Sequence, residues 1–215
     1  MLTAIAACLQ RQVGAGVLRV GIEGVDGAGK TTFADKLATI LADMQLPVIR
    51  ASIDGFHNPR AIRYARGRGS AEGFYRDSFN LALFRSSLLE PLGPGGNGQY
   101  RRAAFDHRTD AAVDLPLESA VAGSILVVDG IFLHRPELRD SWDFSVFLDV
   151  PFSQSFRRMA ARDGSDPDPE SEANQRYRSG QLLYLAECDP RNAASMLIDY
   201  ADFAAPKILR GLDPK

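Results

Sequence analysis

Residues Gly24 to Thr31 read Gly-Val-Asp-Gly-Ala-Gly-Lys-Thr, a match to the pattern G-x-x-x-x-G-K-[ST]. No other stretch restricts the fold as much, because such a loop works only where a strand hands over to a helix. Its glycines let the backbone curl so that successive N–H groups converge on phosphate oxygens, and the following helix directs its positive end at the same anion. The flanks agree. Residues 17–23 form a short apolar run, and Phe33, Leu37, Ile40, Leu41 and Met44 recur at three- and four-residue intervals before Pro47. Gly24, Asp26, Gly27, Ala28, Gly29, Lys30, Thr31 and Thr32 are therefore expected to line a nucleoside triphosphate site. Lys30 reaches the β and γ phosphates, the Thr31 hydroxyl holds Mg²⁺, and Thr32 donates to a more proximal phosphate. The motif specifies a nucleotide and magnesium; it does not specify the reaction.

Beyond the loop, apolar runs predict strands over 48–53, 125–128, 144–150 and, shorter, 196–198. Helices are expected over 77–90, 152–162 and 170–187. Residues 55–76 carry Gly, Pro, Asn and many Arg without periodicity and predict a long loop with some local helix, while 100–113 predicts an irregular, hairpin-like excursion. Strands alternating with helices imply a parallel sheet covered on both faces, in one domain spanning 1–215. The turn-rich break from Asp163 to Pro169 places a small lid over about 157–175.

Composition narrows the class. Of 215 residues, 45% are apolar and 24% charged, which excludes a disordered tail protein or a collagen-like chain. No apolar run approaches the roughly 20 residues that span a bilayer, and residues 2–9 lack the basic flank of a leader, so no membrane partner and a cytoplasmic location are expected. Cys8 and Cys188 lie far apart without metal-type spacing, so reduced thiols are expected. A net charge of −2 argues against nucleic acid as a partner. From Arg50 to Arg108, however, ten arginines face five acids, which either gathers an anionic ligand or forms a solvated basic surface. A homodimer is compatible with the sequence, which does not decide the oligomeric state.

Two acids close predicted strands, where ligands bind in open α/β sheets. Asp54, in Ser52-Ile-Asp-Gly-Phe-His57, has the chemistry and place of a base for an acceptor hydroxyl. Asp129, ending Ile-Leu-Val-Val-Asp, has the form of an acid that positions Mg²⁺. His57 and His107 are candidate acceptor contacts. Arg158 and Arg162 share a helix face just before the Asp/Pro/Gly break and can bring positive charge to a transferring phosphoryl group when a lid closes. Arg176, Tyr177, Gln181 and Tyr184 have helical spacing and border the same cleft or the core.

From Val17 to Leu209 the chain resembles the uridine kinase and phosphoribulokinase-like family of P-loop kinases. The likeness rests on residues 24–32, on Ser52-x-Asp54-x-Phe56-His57, on Val127-Val128-Asp129-Gly130-Ile131, and on Arg158 with Arg162-Asp163. The resemblance implies an α/β P-loop kinase fold with a five-stranded parallel sheet flanked by helices, a lid, and ATP-dependent phosphorylation of a small molecule's hydroxyl, with Asp54 as base. It places acceptor contacts around Phe74-Tyr75, from Tyr100 to Arg108 with His107, and at Arg176 and Gln181, beside Asp54, Phe56 and His57. Two features depart from uridine-phosphorylating members: Asp129 stands where Glu is common, and Tyr100 to Arg108 replaces a Pro-x-Tyr-Asp segment leading to a His.

The expected activity is an ATP:Mg²⁺-dependent kinase, with a pyrimidine nucleoside, uridine or cytidine, as first acceptor. Pantothenate, a sugar or a sugar phosphate are alternatives, since the arginines from Arg60 to Arg76 suit an anionic acceptor equally. A GTP-binding switch is a reading from a different class, but the chain has no Asn-Lys-x-Asp to read guanine. A nucleotide-binding regulator without chemistry would not need Lys30, Thr31, Asp54 and Asp129 together.

Overall fold

The computed structural model describes residues 1–211. In chain order the elements are α1 (Leu2–Gln12), β1 (Leu18–Gly24), α2 (Lys30–Asp43) and β2 (Val48–Ser52), then the short helices α3 (Arg60–Arg63), α4 (Ala71–Asp77) and α5 (Leu81–Phe84). Two small ribbons follow, β3 (Gln99–Tyr100) paired with β6 (Glu118–Ser119) and β4 (Phe105–Asp106) paired with β5 (Ala111–Ala112). The chain returns through β7 (Ile125–Gly130), β8 (Phe144–Asp149), α6 (Phe152–Asp163), α7 (Gln175–Cys188), α8 (Pro190–Ala193), β9 (Met196–Asp199) and β10 (Lys207–Arg210).

The central sheet has the order β10-β9-β8-β1-β7-β2. β1 lies at its heart, parallel to β7 on one side and β8 on the other, with Gly21 opposite both Val128 and Ser145. All seven residues of β1 are buried, as a strand covered on both faces requires. The five parallel strands are those the sequence predicts. The sixth, β10, runs antiparallel to β9 at the edge and is an addition: Lys-Ile-Leu-Arg is too short and too polar to carry a strand signal.

Side-chain alternation along the strands divides the interior in two. Val20, Ile22, Val127, Val146 and Leu148 face α1 and α2, whose Ile5, Leu9, Phe33, Leu37 and Leu41 are fully buried against them. Leu126, Val128, Ile49 and Ala51 face the opposite layer, where Phe56, Phe84, Leu88, Phe132 and Tyr184 pack. The phases of α2 match its sequence stripe. α1 was not anticipated as a helix, though Ile5 and Leu9 stand one turn apart.

The helix expected over 77–90 is broken and shifted. Asp77 ends α4 rather than starting a helix; Asn80 is the cap, its side chain accepting from the Leu83 N–H at 3.0 Å, and α5 runs into a wider π-turn over Arg85–Leu89. Ser78 turns its hydroxyl back onto the Phe74 carbonyl at 2.6 Å, a bond that competes with helix continuation. At the break after α6, Gly164 takes a left-handed φ of 76°, and α7 begins only at Gln175 after a 3₁₀ turn over Glu172–Asn174.

Candidate active site

β1, β2 and β7 end on one edge of the sheet, and a cleft of about 920 Å³ opens above their carboxyl ends. The loop after β1 forms its floor. Gly27 (φ 72°) and Gly29 (φ 90°) adopt left-handed backbone that favours glycine. A Cβ on Gly27 would lie 2.2 Å from the Ser155 carbonyl, so that position also needs glycine for room. Gly29 stands at the start of α2 with no side-chain cap, which leaves the first-turn amides of α2 available to an anion. Asp26, Gly27, Gly29, Lys30, Thr31 and Thr32 line the cleft, whereas Gly24 ends β1 and Ala28 is fully buried behind the loop. The Lys30 ammonium donates to the Val25 carbonyl at 2.9 Å, so it is curled over the loop itself.

Thr31 and Asp129 meet across the β1–β7 pair: the Thr31 hydroxyl donates to Asp129 Oδ2 at 2.6 Å. Asp129 Oδ1 lies 2.7 Å from Arg50 Nη2, an ion pair in which no N–H is aligned on the oxygen. Arg50 in turn pairs with Asp35 of α2 at 2.9 Å. One hydroxyl beside one nearly buried carboxylate fits Mg²⁺, which takes few protein ligands and completes its octahedron with phosphate and water oxygens.

Asp54 lies in the turn after β2, held there by the Ser52 hydroxyl, which accepts from the Asp54 N–H at 3.3 Å. His57 Nδ1 donates to the Asp54 carbonyl at 2.9 Å, which fixes the proton on Nδ1 while the ring is neutral. The His57 ring stacks between Phe79 (4.6 Å between centroids) and His107 (4.8 Å). Burial holds His57 below the ordinary histidine range, with help from His107 and Arg63, against the pull of Asp54. Phe74 and Tyr177, edge to face at 5.1 Å, complete this wall from α4 and α7. Asp54, His57 and His107 thus share one end of the cleft.

The other sequence-predicted acceptor residues are not brought to it. Phe56 is fully buried in the second core. Tyr75 is fully buried, its hydroxyl 3.3 Å from Cys188 Sγ, and Tyr100 is buried beside Glu118. Arg108 supports the Arg60 guanidinium through its carbonyl. Arg176 donates to the carbonyls of Arg68 and Arg63 and lies 4.6 Å over the Tyr64 ring, bracing the 63–68 loop. Gln181 is buried and works on the floor from behind, its Oε1 accepting from the Asp26 N–H at 2.7 Å.

Arg158 and Arg162, both on α6, differ in their commitments. Arg158 donates to the carbonyls of Ala28 (3.3 Å), Tyr200 (2.9 Å) and Ala201 (2.7 Å) and lies 3.6 Å over the Phe203 ring. Arg162 is exposed, paired with Asp163 at 2.8 Å, and lines the cleft with Asp163, Gly164 and Ser165. Phe203 and Phe79 are wall residues that sequence reasoning missed: Phe203 sits in aperiodic chain, and Phe79 falls at the break between α4 and α5, inside the stretch predicted as one helix. The arginines from 60 to 76 are largely spent on internal partners: Arg63 on Asp110, Arg66 on Asp77, Arg76 on Glu187. Lys30, Arg158 and Arg162 are the only cationic side chains among the described residues that line the cleft.

Against known proteins, residues 19–168 match the model of the phosphoribulokinase / uridine kinase family. Nicotinamide riboside kinase 1 of Rattus norvegicus is 26% identical over 186 residues, covering 85% of this chain and 84% of the relative. A uridine kinase of Shewanella frigidimarina is 24% identical over 195 residues, covering 87% and 86%. Among solved structures, one described as a possible uridine kinase from Bacillus stearothermophilus superposes with a TM-score of 0.68 at 25% identity over 89% of this chain and 96% of that one. Phosphoribulokinase from Rhodobacter spheroides shares the fold at a TM-score of 0.60 and 13% identity, covering 86% and 71%. No described helix is long and apolar enough to cross a membrane. With the matched residues running from β1 past α6 and carrying the loop, Asp54, Asp129, Arg158 and Arg162, the chain belongs to the phosphoribulokinase / uridine kinase family of kinases.

Proposed function

We propose that the protein transfers the γ-phosphoryl group of ATP to a hydroxyl of a ribose-bearing small molecule that carries no anionic group, a nucleoside. The observation that carries this reading is the make-up of the acceptor end: one carboxylate, two stacked imidazoles and the rings of Phe74, Phe79 and Tyr177, with no arginine directed into it. A phosphorylated or carboxylated acceptor needs a bidentate cation there. Stacked rings and a carboxylate suit a nucleobase and a sugar hydroxyl. The names of two relatives, a uridine kinase and a nicotinamide riboside kinase, support the same class.

In this reading the nucleotide phosphates lie on the floor, held by its amides and by Lys30 once the ammonium leaves the Val25 carbonyl. Mg²⁺, held by Thr31 and through Asp129, supplies neutralisation of the phosphate charge. Asp54 takes the proton of the attacking hydroxyl and fixes its direction. Arg162 swings from Asp163 to the transferring group, and Arg158 with Phe203 borders the base end of the nucleotide.

The test is a panel of nucleosides, pantothenate, sugars and sugar phosphates offered with MgATP, beside the Asp54→Asn variant. Phosphorylation of a nucleoside, with turnover in the variant lower by about 10²- to 10⁴-fold and ATP binding intact, is expected. Preference for a sugar phosphate would overturn the acceptor class, and near-normal turnover in the variant would remove Asp54 from the chemistry.

A further inference from the structure

A carboxylate inside a loop that wraps a polyphosphate faces repulsion unless it serves something else. Asp26 is such a residue. Its backbone N–H is already given to Gln181 Oε1 at 2.7 Å, so this amide is not offered to a phosphate. Its side chain lines the cleft, and among the described residues its carboxylate has no hydrogen-bond or ion-pair partner; the same holds for Asp54. Asp35, Asp77, Asp110, Asp129, Asp143 and Asp149 each carry an arginine. Burial pushes the Asp26 carboxyl above the usual range, Lys30 lowers it, Asp54 raises it again and Arg162 lowers it. Asp26 lines the same cleft as Lys30 of the floor and Asp54 of the acceptor end, with its backbone fixed by Gln181 and its side chain unpaired among the described residues.

We propose that Asp26 is a second acceptor-binding carboxylate, receiving a hydrogen bond from a hydroxyl that neighbours the one phosphorylated, so that the site selects an acceptor carrying that neighbouring hydroxyl over one lacking it. Asp54 and Asp26 then hold the acceptor from two sides, one at the reacting oxygen and one at its neighbour. For a ribonucleoside phosphorylated at its 5′ position, the neighbour is the 3′-hydroxyl. The inference rests on the kinase reading above and deepens it by naming what the acceptor must carry. A hydrogen bond to a charged group sets the scale at roughly ten- to hundredfold in affinity.

The experiment crosses the protein with the substrate. Wild type, Asp26→Asn and Asp26→Ala are assayed with uridine and 3′-deoxyuridine, or with whichever panel compound is turned over fastest and its deoxy analogue, while ADP binding is followed by calorimetry. The expected result is a rise in acceptor KM of roughly ten- to hundredfold in the variants, with the ADP dissociation constant within about threefold of wild type. The preference of wild type for the compound that carries the neighbouring hydroxyl over its deoxy analogue should fall to within about threefold in Asp26→Ala. A preference unchanged in Asp26→Ala, or a wild type indifferent to the second hydroxyl, overturns the proposal and leaves the kinase reading standing. Weakening of ADP in step with the acceptor also overturns it, placing Asp26 in the nucleotide cradle. If no compound is phosphorylated while ADP binds, the kinase reading itself fails and takes the inference with it.

Discussion

Gln181 and Asp26, 155 residues apart, meet at 2.7 Å, side-chain oxygen to backbone N–H. The bond ties α7, which follows the break at Gly164, to the floor of the cleft. Gln181 Nε2 donates to the Tyr177 carbonyl at 3.3 Å, one turn earlier, so the amide is oriented from both ends. Any shift of α7 that carries Tyr177 toward or away from an acceptor therefore also pulls on the loop that holds the phosphates.

Gln181→Leu keeps the volume and removes the acceptor oxygen, leaving the Asp26 N–H without its partner. An unsatisfied donor of this kind costs about 1–3 kcal/mol, to be read as a lower denaturant midpoint. ADP affinity should weaken several-fold, because the loop loses the bond that sets its curvature. A variant as stable as wild type with unchanged ADP binding would show that the contact is dispensable.

Arg158 and Arg162 separate into different roles. Arg158→Lys keeps the charge but cannot span the carbonyls of Ala28, Tyr200 and Ala201 while stacking on Phe203, so the KM for ATP should rise about tenfold with a smaller change in kcat. Arg162→Ala removes a side chain whose described partner is only Asp163, so kcat should fall about 10²- to 10³-fold with ADP binding unchanged. Steady-state kinetics on both variants check the pair; a reversed pattern would exchange the roles.

The floor of the cleft is legible in the sequence and its far wall only in part, where His57, His107, Phe74 and Tyr177 line it and Tyr75, Tyr100 and Arg176 do not, for a physical reason. The 24–32 loop, Asp54 and Asp129 follow from strand ends, and strand ends follow from apolar runs. The acceptor wall depends instead on helix phase and on non-local contacts. Phe74 and Tyr75 are adjacent aromatics, yet Phe74 lines the cleft while Tyr75 is buried beside Cys188; Tyr177 lines it while Arg176 braces a loop. One residue of register decides each case, on α4, which is only seven residues long, and at the start of the longer α7. The ten arginines between 50 and 108 are less free than the five acids of that window imply, since Arg50, Arg63, Arg76, Arg101 and Arg102 have acidic partners outside it, Asp35, Asp110, Glu187, Asp114 and Glu118.

His57 makes stability depend on pH. Its folded pKa is lowered by burial, so the unfolded chain binds a proton more readily than the folded one. Stability is then fully present above the ordinary histidine value near 6.5 and is lost as pH falls from there toward the folded value. The groups facing the ring are Asp54, His107, Arg63 and the Phe79 face. Denaturation midpoints at decreasing pH should decline, and His57→Gln should flatten that limb while keeping an N–H for the Asp54 carbonyl. An equal slope in the variant would assign the dependence to other groups.

Glu23 anchors the strand that carries the loop, and it does so from a buried position. Its Oε1 accepts from the Leu133 N–H at 3.0 Å and its Oε2 pairs with His134 Nδ1. His134 Nε2 meets the Ser145 hydroxyl at 2.9 Å, and the Tyr184 hydroxyl accepts from the His134 N–H at 3.0 Å. Burial, with the Glu23 charge second, pushes the Tyr184 phenol far above its usual range, so it stays protonated and available as a donor. One carboxylate thus joins β1 to the β7–β8 connection, β8 and α7, one residue before Gly24. Glu23→Ala strands His134 and the Leu133 N–H in a dry interior, and breaking a buried pair from one side costs about 3–5 kcal/mol. Glu23→Gln keeps the shape and the Leu133 bond and should cost less. Chemical denaturation orders the three proteins as wild type, Gln, Ala; an Ala variant within about 1 kcal/mol of wild type would mean that water or a rearranged Tyr184 replaces the carboxylate.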